Sequence, residues 1–194
     1  MTALRKGDPK MNRGWIGALV LGFFMFPRLV ASAIADDTQS AKKEDRWKVW
    51  RPLVGIWEGT SQGNPGKGTV RLEVSFALNE RYLRIAGTAD YKNEKGGEHH
   101  EDFGYVSYDK SRKTNVFRQF HGEGFVNHYV LTSDPRSDKV IELTSESCEN
   151  TPPGWRARER YIVKDDRLEH TFELAAPNKP FEVYARATLN RVKK

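Results

Sequence analysis

The sequence predicts an all-β protein, a ten-stranded antiparallel up-and-down β-barrel with a short N-terminal helix after a cleaved signal peptide. Three observations predict it. From Leu53 onward, apolar and polar residues alternate with period two, the pattern of strands with one buried face. Turn residues interrupt that alternation roughly every 8 to 12 positions. No segment between those turns carries the 3.6-residue periodicity of a crossover helix. Ten strands left as an open sheet would expose two edges and a large apolar face, and closure into a barrel removes both. A two-sheet sandwich is the alternative that the same pattern allows.

Residues 1–35 read as the signal peptide. Arg13 supplies positive charge, an apolar run follows from Trp15 to Phe26, and Pro27 breaks it. Ala31-Ser32-Ala33 and Ala33-Ile34-Ala35 then offer small-residue cleavage sites, the second fitting better because the chain turns polar at Asp36. Met11 is an alternative start, since residues 1–10 add nothing to the signal. The apolar run is too short to span a bilayer comfortably, so no stable membrane span is expected after cleavage. An uncleaved anchor is the alternative. The expected location is periplasmic or secreted.

The leader also accounts for the charge. Of the 32 Lys and Arg, five lie in residues 1–35, against one of the 26 Asp and Glu. The remainder is close to balance, so the pI of about 9.4 is no nucleic-acid footprint. Cys148 is the single cysteine, which excludes an internal disulfide. Glu146 and Glu149 beside it disfavour a thiolate nucleophile, leaving a free thiol or an intermolecular bridge.

Residues 36–52 form a lead-in. Gln39 to Trp50 favours a short helix with Trp47 and Trp50 on one face, ended by Pro52, suited to plug a barrel end or tether the N-terminus. The barrel domain is 53–194. Its strands are expected at 54–61, 68–77, 81–91, 98–108, 114–121, 125–132, 139–146, 155–163, 167–175 and 181–192. The clearest alternation is Val70, Leu72, Val74 and Phe76 against Arg71, Glu73 and Ser75. Gly63-Asn64-Pro65-Gly66, Asn93 to Gly97, Gly122-Glu123-Gly124, Ser137-Asp138 and Pro177 to Pro180 are among the turns.

Several patterns carry chemistry on paper. Gly59-Thr60-Ser61-Gln62-Gly63 matches the nucleophile-elbow motif but lacks its strand-into-helix context. Gly66-Lys67-Gly68-Thr69 lacks the spacing and helix of a phosphate loop. In His99-His100-Glu101-Asp102, alternation allows only His99 with Glu101, or His100 with Asp102, to act together, too few for zinc, so a solvated strand start is expected. His121 and His128 lie on opposite arms of a tight hairpin, with Arg118, Gln119, Asn127 and Tyr129 nearby, amid Phe117, Phe120, Phe125 and Val126. Polar groups among apolar ones orient a largely apolar guest, although Arg118 and His121 cannot share a face of a regular strand. His170 reads as a core histidine with a backbone partner. Glu159 is a polar intrusion on the apolar face of its strand, opposite Arg156, Arg158 and Arg160.

Gly55-x-Trp57-x-Gly59 on the first strand resembles the opening of calycin-type barrels, and more closely the lipocalin-like and nitrobindin-like ten-stranded families. Phe103 to Asp109 and Ala187 to Val192 are similar to their mid-barrel and last-strand patterns. The resemblance covers essentially the whole chain beyond the leader and implies a barrel. A Trp on the first strand and an Arg on the last would then be neighbours, with Arg191 or Arg186 capping Trp57 and pinning closure. The resemblance to nitrobindins implies haem on a last-strand histidine; the matching position here is Tyr184.

The function expected is an exported lipocalin-like barrel, not an enzyme, binding a small, mainly apolar molecule through His121, His128, Tyr129, Arg118 and Tyr184. A haem-binding barrel and a filled barrel acting as a structural or interaction module are the alternatives. No cofactor is expected, haem being the exception the resemblance keeps open, and no metal and no nucleic-acid partner. A homodimer stays open.

Overall fold

The structure of the chain is a computed structural model that describes residues 45–92, 96–134, 136 and 140–193. The expected signal peptide, and the turn residues expected at 93–95 and 137–138, lie outside the described residues. So does the first half of the expected N-terminal helix.

Ten antiparallel strands form one closed barrel, each paired with its neighbours in sequence and β1 with β10. They are β1 Gly55–Gly63, β2 Gly66–Ala77, β3 Tyr82–Lys92, β4 Glu98–Asp109, β5 Thr114–His121, β6 Val126–Leu131, β7 Val140–Glu149, β8 Arg156–Lys164, β9 Arg167–Ala175 and β10 Glu182–Arg191. The meander is therefore as the alternation predicts, and the sandwich is excluded. Two places break the ladder. A register shift in the β6–β7 pairing falls between His128 and Tyr129, and one in β10 falls between Val183 and Ala185. The second leaves Tyr184 without a partner on β9, and a bulge of this kind re-aims the extra side chain.

The N-terminal helix needs correcting. Residues 46–50 form hydrogen-bonded turns, and among the described residues of the lead-in only Arg51–Leu53 is helical, as a single 3-10 turn. Asp45 holds the segment by accepting from the Trp47 N–H at 3.0 Å and the Arg51 guanidinium at 2.7 Å. With Pro52 inside the turn and Trp57 only a few residues on, the chain bends into β1 instead of propagating a helix. The plugging role holds. Trp47, Val49, Trp50 and Leu53 are buried and join one core with Leu83, Ile85, Val106, Phe117, Ile141, Leu143, Leu168 and Leu189. Trp47 donates its indole N–H to the Glu80 carbonyl at 2.9 Å, pinning the plug to the β2–β3 turn.

The seam between first and last strand is built on Trp57 and Arg191, which are register partners. The Arg191 guanidinium lies 4.0 Å from the Trp57 ring centre. It donates to the Val54 carbonyl at 2.6 Å, the Pro52 carbonyl at 2.8 Å and the Asp166 carboxylate at 3.2 Å. Trp57 donates to the Leu53 carbonyl at 2.8 Å. Of the two arginines considered for this role, Arg191 takes it. Arg186 pairs with Gln62, and its carbonyl accepts from Ser61. Gly59 is required at the same seam, because a Cβ there would meet the Thr188 carbonyl oxygen and lie 2.8 Å from Leu189 Cα.

Two substitutions test the seam. Arg191→Ala removes charged hydrogen bonds to two backbone carbonyls and the cover on Trp57, and should cost about 2–3 kcal/mol in urea unfolding. Gly59→Ala forces β1 and β10 apart and should cost about 2 kcal/mol or more in the same measurement.

Candidate functional site

Alternation along closed strands sends every second side chain inward, so the nature of those residues decides what the barrel holds. Toward the plug they are large and apolar. Toward the other end many are small or polar, and a cavity of about 450 Å³ opens there. Val70, Leu72, Ala89, Ala187 and Leu189 form its apolar side; Phe125, Trp155, Phe172 and Leu174 add apolar surface. The volume falls within the range of small-molecule pockets, roughly 300–1,000 Å³.

The polar side rests on β4, β5, β6, β8 and β9. Asp102 and His121 are register partners and both line the cavity, as do Gln119 and Asn127, another pair. Gln119 donates to Asp102 at 2.9 Å. Opposite Asp102 on β3 stands Gly87, where a Cβ would come within 2.9 Å of Asp102 Oδ2. Burial, opposed by the Gln119 hydrogen bond and reinforced by the Glu159 charge, pushes the Asp102 carboxyl up to about 6. The Asn127 amide donates to Tyr129 Oη at 3.0 Å and to His121 Nε2 at 3.2 Å. The His121 ring stacks on Phe125 at 3.9 Å, and burial lowers its pKa, favouring neutral imidazole.

On β8 and β9, Glu159 is buried and hydrogen-bonded to His170 Nε2. The His170 ring lies flat against Tyr161 at 4.5 Å. Burial opposes charge on His170, but the Glu159 carboxylate outweighs it and raises the pKa. Nearer the mouth, His100 Nδ1 bonds Glu123 and its Nε2 lies 3.2 Å from Glu98 Oε1, without a hydrogen-bonding angle. Tyr184 also lines the cavity, edge-on to Phe172, and burial followed by the Glu98 and Glu123 charges raises its pKa. The arrangement can orient a guest by hydrogen bonds from one side while apolar residues cover the other. Chemically it also holds a neutral imidazole and a carboxyl that titrates near pH 6.

Of the residues expected to bind a ligand, the structure brings His121 and Tyr184 to the cavity wall, with Tyr129 buried behind Asn127. His128 and Arg118 are register partners on the outer wall; His128 bonds Glu149 at 2.5 Å, and Arg118 is exposed. They do not join the site, because alternation on β5 and β6 puts them opposite Gln119 and Asn127. The reading of His99 to Asp102 as a solvated strand start is half corrected. His99 is outside, paired with Asp90 at 2.7 Å, while His100 and Asp102 line the cavity. His170 takes a carboxylate partner instead of a backbone one. Gln119 and Asn127, of the polar set around the hairpin histidines, do line the cavity; Asp102 was missed as a site residue, and the signal was its parity with His121 across the β4–β5 pair.

A sequence model of the family described as "THAP4-like, heme-binding beta-barrel domain" matches residues 47–191. No curated protein sequence matches significantly. Among solved structures, Rv2717c from M. tuberculosis is similar at a TM-score of 0.62 and 18% identity, over 77% of this chain and 99% of that one. At that identity the likeness is one of fold. A DUF3598-family protein of unknown function from Nostoc punctiforme matches over 77% of this chain and all of its own, at 10% identity and a TM-score of 0.26, too low to carry an argument.

The raised Asp102 pKa makes a stability prediction. Between its unfolded pKa near 4 and its folded value near 6, the folded state holds the extra proton, so stability falls as pH rises through that window. Asp102→Asn should raise stability by about 2 kcal/mol at neutral pH and flatten that fall. Urea midpoints of both proteins from about pH 4 to 8 check it; an unchanged slope would disprove the assignment.

Proposed function

The chain belongs to the THAP4-like, heme-binding β-barrel domain family, and from that premise we propose that its barrel binds a small molecule within the cavity, its apolar body against β1, β2, β3 and β10. The observation that carries this reading is the juxtaposition of an open cavity with two unlike sides, one apolar and one set with hydrogen-bonding groups. Such a cavity fixes orientation through a few polar contacts and draws its affinity from apolar burial. His121, Asn127, Gln119, Asp102 and Glu159 supply the polar contacts. The filled-barrel alternative describes only the half beside the plug.

Binding, not turnover, is proposed. Among the described residues, no serine, threonine or cysteine hydroxyl or thiol is hydrogen-bonded to His121, His170, Asp102 or Glu159, the pairing an activated nucleophile requires. Export is proposed with it, on the leader of residues 1–35.

Haem is the competing reading, and family membership favours it. Bound haem would need an axial donor and a place for its two propionates, and the donor set here fits neither. Tyr184 stands where the resemblance puts the ligand, but burial and its carboxylate neighbours keep the phenol from ionising. His121 Nε2 accepts from Asn127, and His170 Nε2 is held by Glu159. Glu98 occupies the approach to His100 Nε2. Among the described residues Arg156 is the one Lys or Arg that lines the cavity, and its guanidinium is engaged with the Lys179 carbonyl and the Phe181 ring. No step is therefore routed through haem.

Native mass spectrometry of protein purified from its host compartment, with an absorbance scan, separates the readings. A bound organic mass without a Soret band is the expected outcome. A stoichiometric Soret band, lost in Tyr184→Phe or His100→Ala, would establish haem instead. An empty barrel that also resists a screen of hydrophobic ligands would defeat the binding proposal.

A further inference from the structure

The charge of the cavity goes further than its shape. Among the described residues five acidic ones line it; Glu101 follows the outward parity of β4 and is exposed, which leaves Glu98 and Glu123 near the mouth and Asp102 and Glu159 deeper. His170 neutralises Glu159, and His100, between Glu98 and Glu123, offsets at most one of those two. Arg156 follows the outward parity of β8 beside inward Ala157, and it is exposed. The cavity therefore carries an excess of negative charge, exposed at the mouth on Glu98 and Glu123 and set away from bulk solvent on Asp102, where Coulomb interactions are strongest.

A second, independent observation marks where that charge is to be met. Gln119 is only 3% exposed, lines the cavity, and has an Oε1 atom with no hydrogen-bond partner. Its amide nitrogen must face Asp102, since reversing the amide would set oxygen against a carboxylate. The orphan atom is therefore an acceptor, and a buried orphan acceptor costs free energy until a donor arrives. Glu159 and Asp102 are acceptors too when ionised. At the depth of Asp102 and Gln119, then, the cavity offers acceptors and negative charge together.

We propose that the guest is a cationic amphiphile, an amine whose ammonium group is received by Asp102 and Gln119 while its apolar body lies along Val70, Leu72, Ala187 and Leu189. This rests on the small-molecule reading above and adds the chemical class of the molecule. An ammonium group brings three donors and one positive charge to a place with matching acceptors. An inorganic cation suits it less, because among the described residues no three His, Cys, Asp or Glu are grouped to hold one. A fatty acid or other anionic amphiphile would place its carboxylate against Asp102 and Glu159.

Isothermal titration calorimetry with two matched series tests the proposal: naphthylethylamine, naphthylethanol and naphthylacetate, then octylamine, octanol and octanoate. Near neutral pH each amine should bind about ten-fold or more tightly than its alcohol, and each acid most weakly. Asp102→Asn and Gln119→Leu should each cut the preference for amine over alcohol about ten-fold, the larger loss falling on the amine. Alcohols binding as tightly as amines, or acids binding best, would overturn the cation and leave the binding cavity standing. No binding by any member of either series would overturn the cavity reading and the inference with it.

Discussion

A barrel made from one meander closes only if its first and last strands meet, and here the meeting depends on Arg191. Its guanidinium covers the Trp57 ring and reaches the Pro52 and Val54 carbonyls, so one side chain ties β10 to β1 and to the segment that plugs the barrel. Those carbonyls precede a strand and have no ladder partner of their own, which makes a planar cation with several donors the fitting group. Lysine would reach one of them and leave the indole face thinly covered. Gly59 lets the same two strands approach farther along the seam. Because the plug, the seam and the apolar half share this anchor, the cavity is displaced toward the opposite end.

Within that frame the division between filled and open halves follows from side-chain size at inward positions. Phe117, Leu143, Leu168 and Trp57 meet across the barrel and exclude space, whereas Gly87, Ala89, Ala157 and Ala187 leave it. Polar inward residues gather where the space is, and nearly every one is paired: Asp102 with Gln119, Glu159 with His170, Asn127 with His121 and Tyr129. Pairing limits the desolvation cost of burying them and fixes their rotamers. The family description names haem, and these pairings engage the Nε2 atoms that His121 and His170 would offer an iron, while His100 Nε2 makes no hydrogen bond and has Glu98 3.2 Å away. Membership thus specifies the container, and the inward residues of this chain are the basis for proposing a different kind of content.

Much of the fold was legible because period-two alternation and turn chemistry are local. Trp57 on the first strand and an arginine on the last could be placed at the seam before the register was known, and Glu159 stood out as polar on an apolar face. The site was harder. Inward or outward facing depends on register, and a shift of one residue reverses a whole strand. His128 and Arg118 were drawn in by closeness in sequence to His121, although their parity opposed it. His100 and Asp102 looked like a polar strand start because nothing local shows that β4 faces a hollow. Tyr184 owes its place to a bulge that no turn residue announces. The lead-in was read as helix from two tryptophans three residues apart; both are buried, but in turns, where Pro52 and the seam constrain the backbone.

The plug formed by Trp47, Val49, Trp50 and Leu53 has a kinetic consequence. With one end filled by these side chains, a guest held in the cavity as proposed would leave on the side away from the plug and would not be displaced from behind. A newcomer would wait until the previous guest had left on that side. Replacement then runs at the dissociation rate of the first guest, whatever the concentration of the second. A barrel closed in this way, if it holds the proposed guest, would be a timer as well as a container: its retention would be set by the contacts the cavity makes.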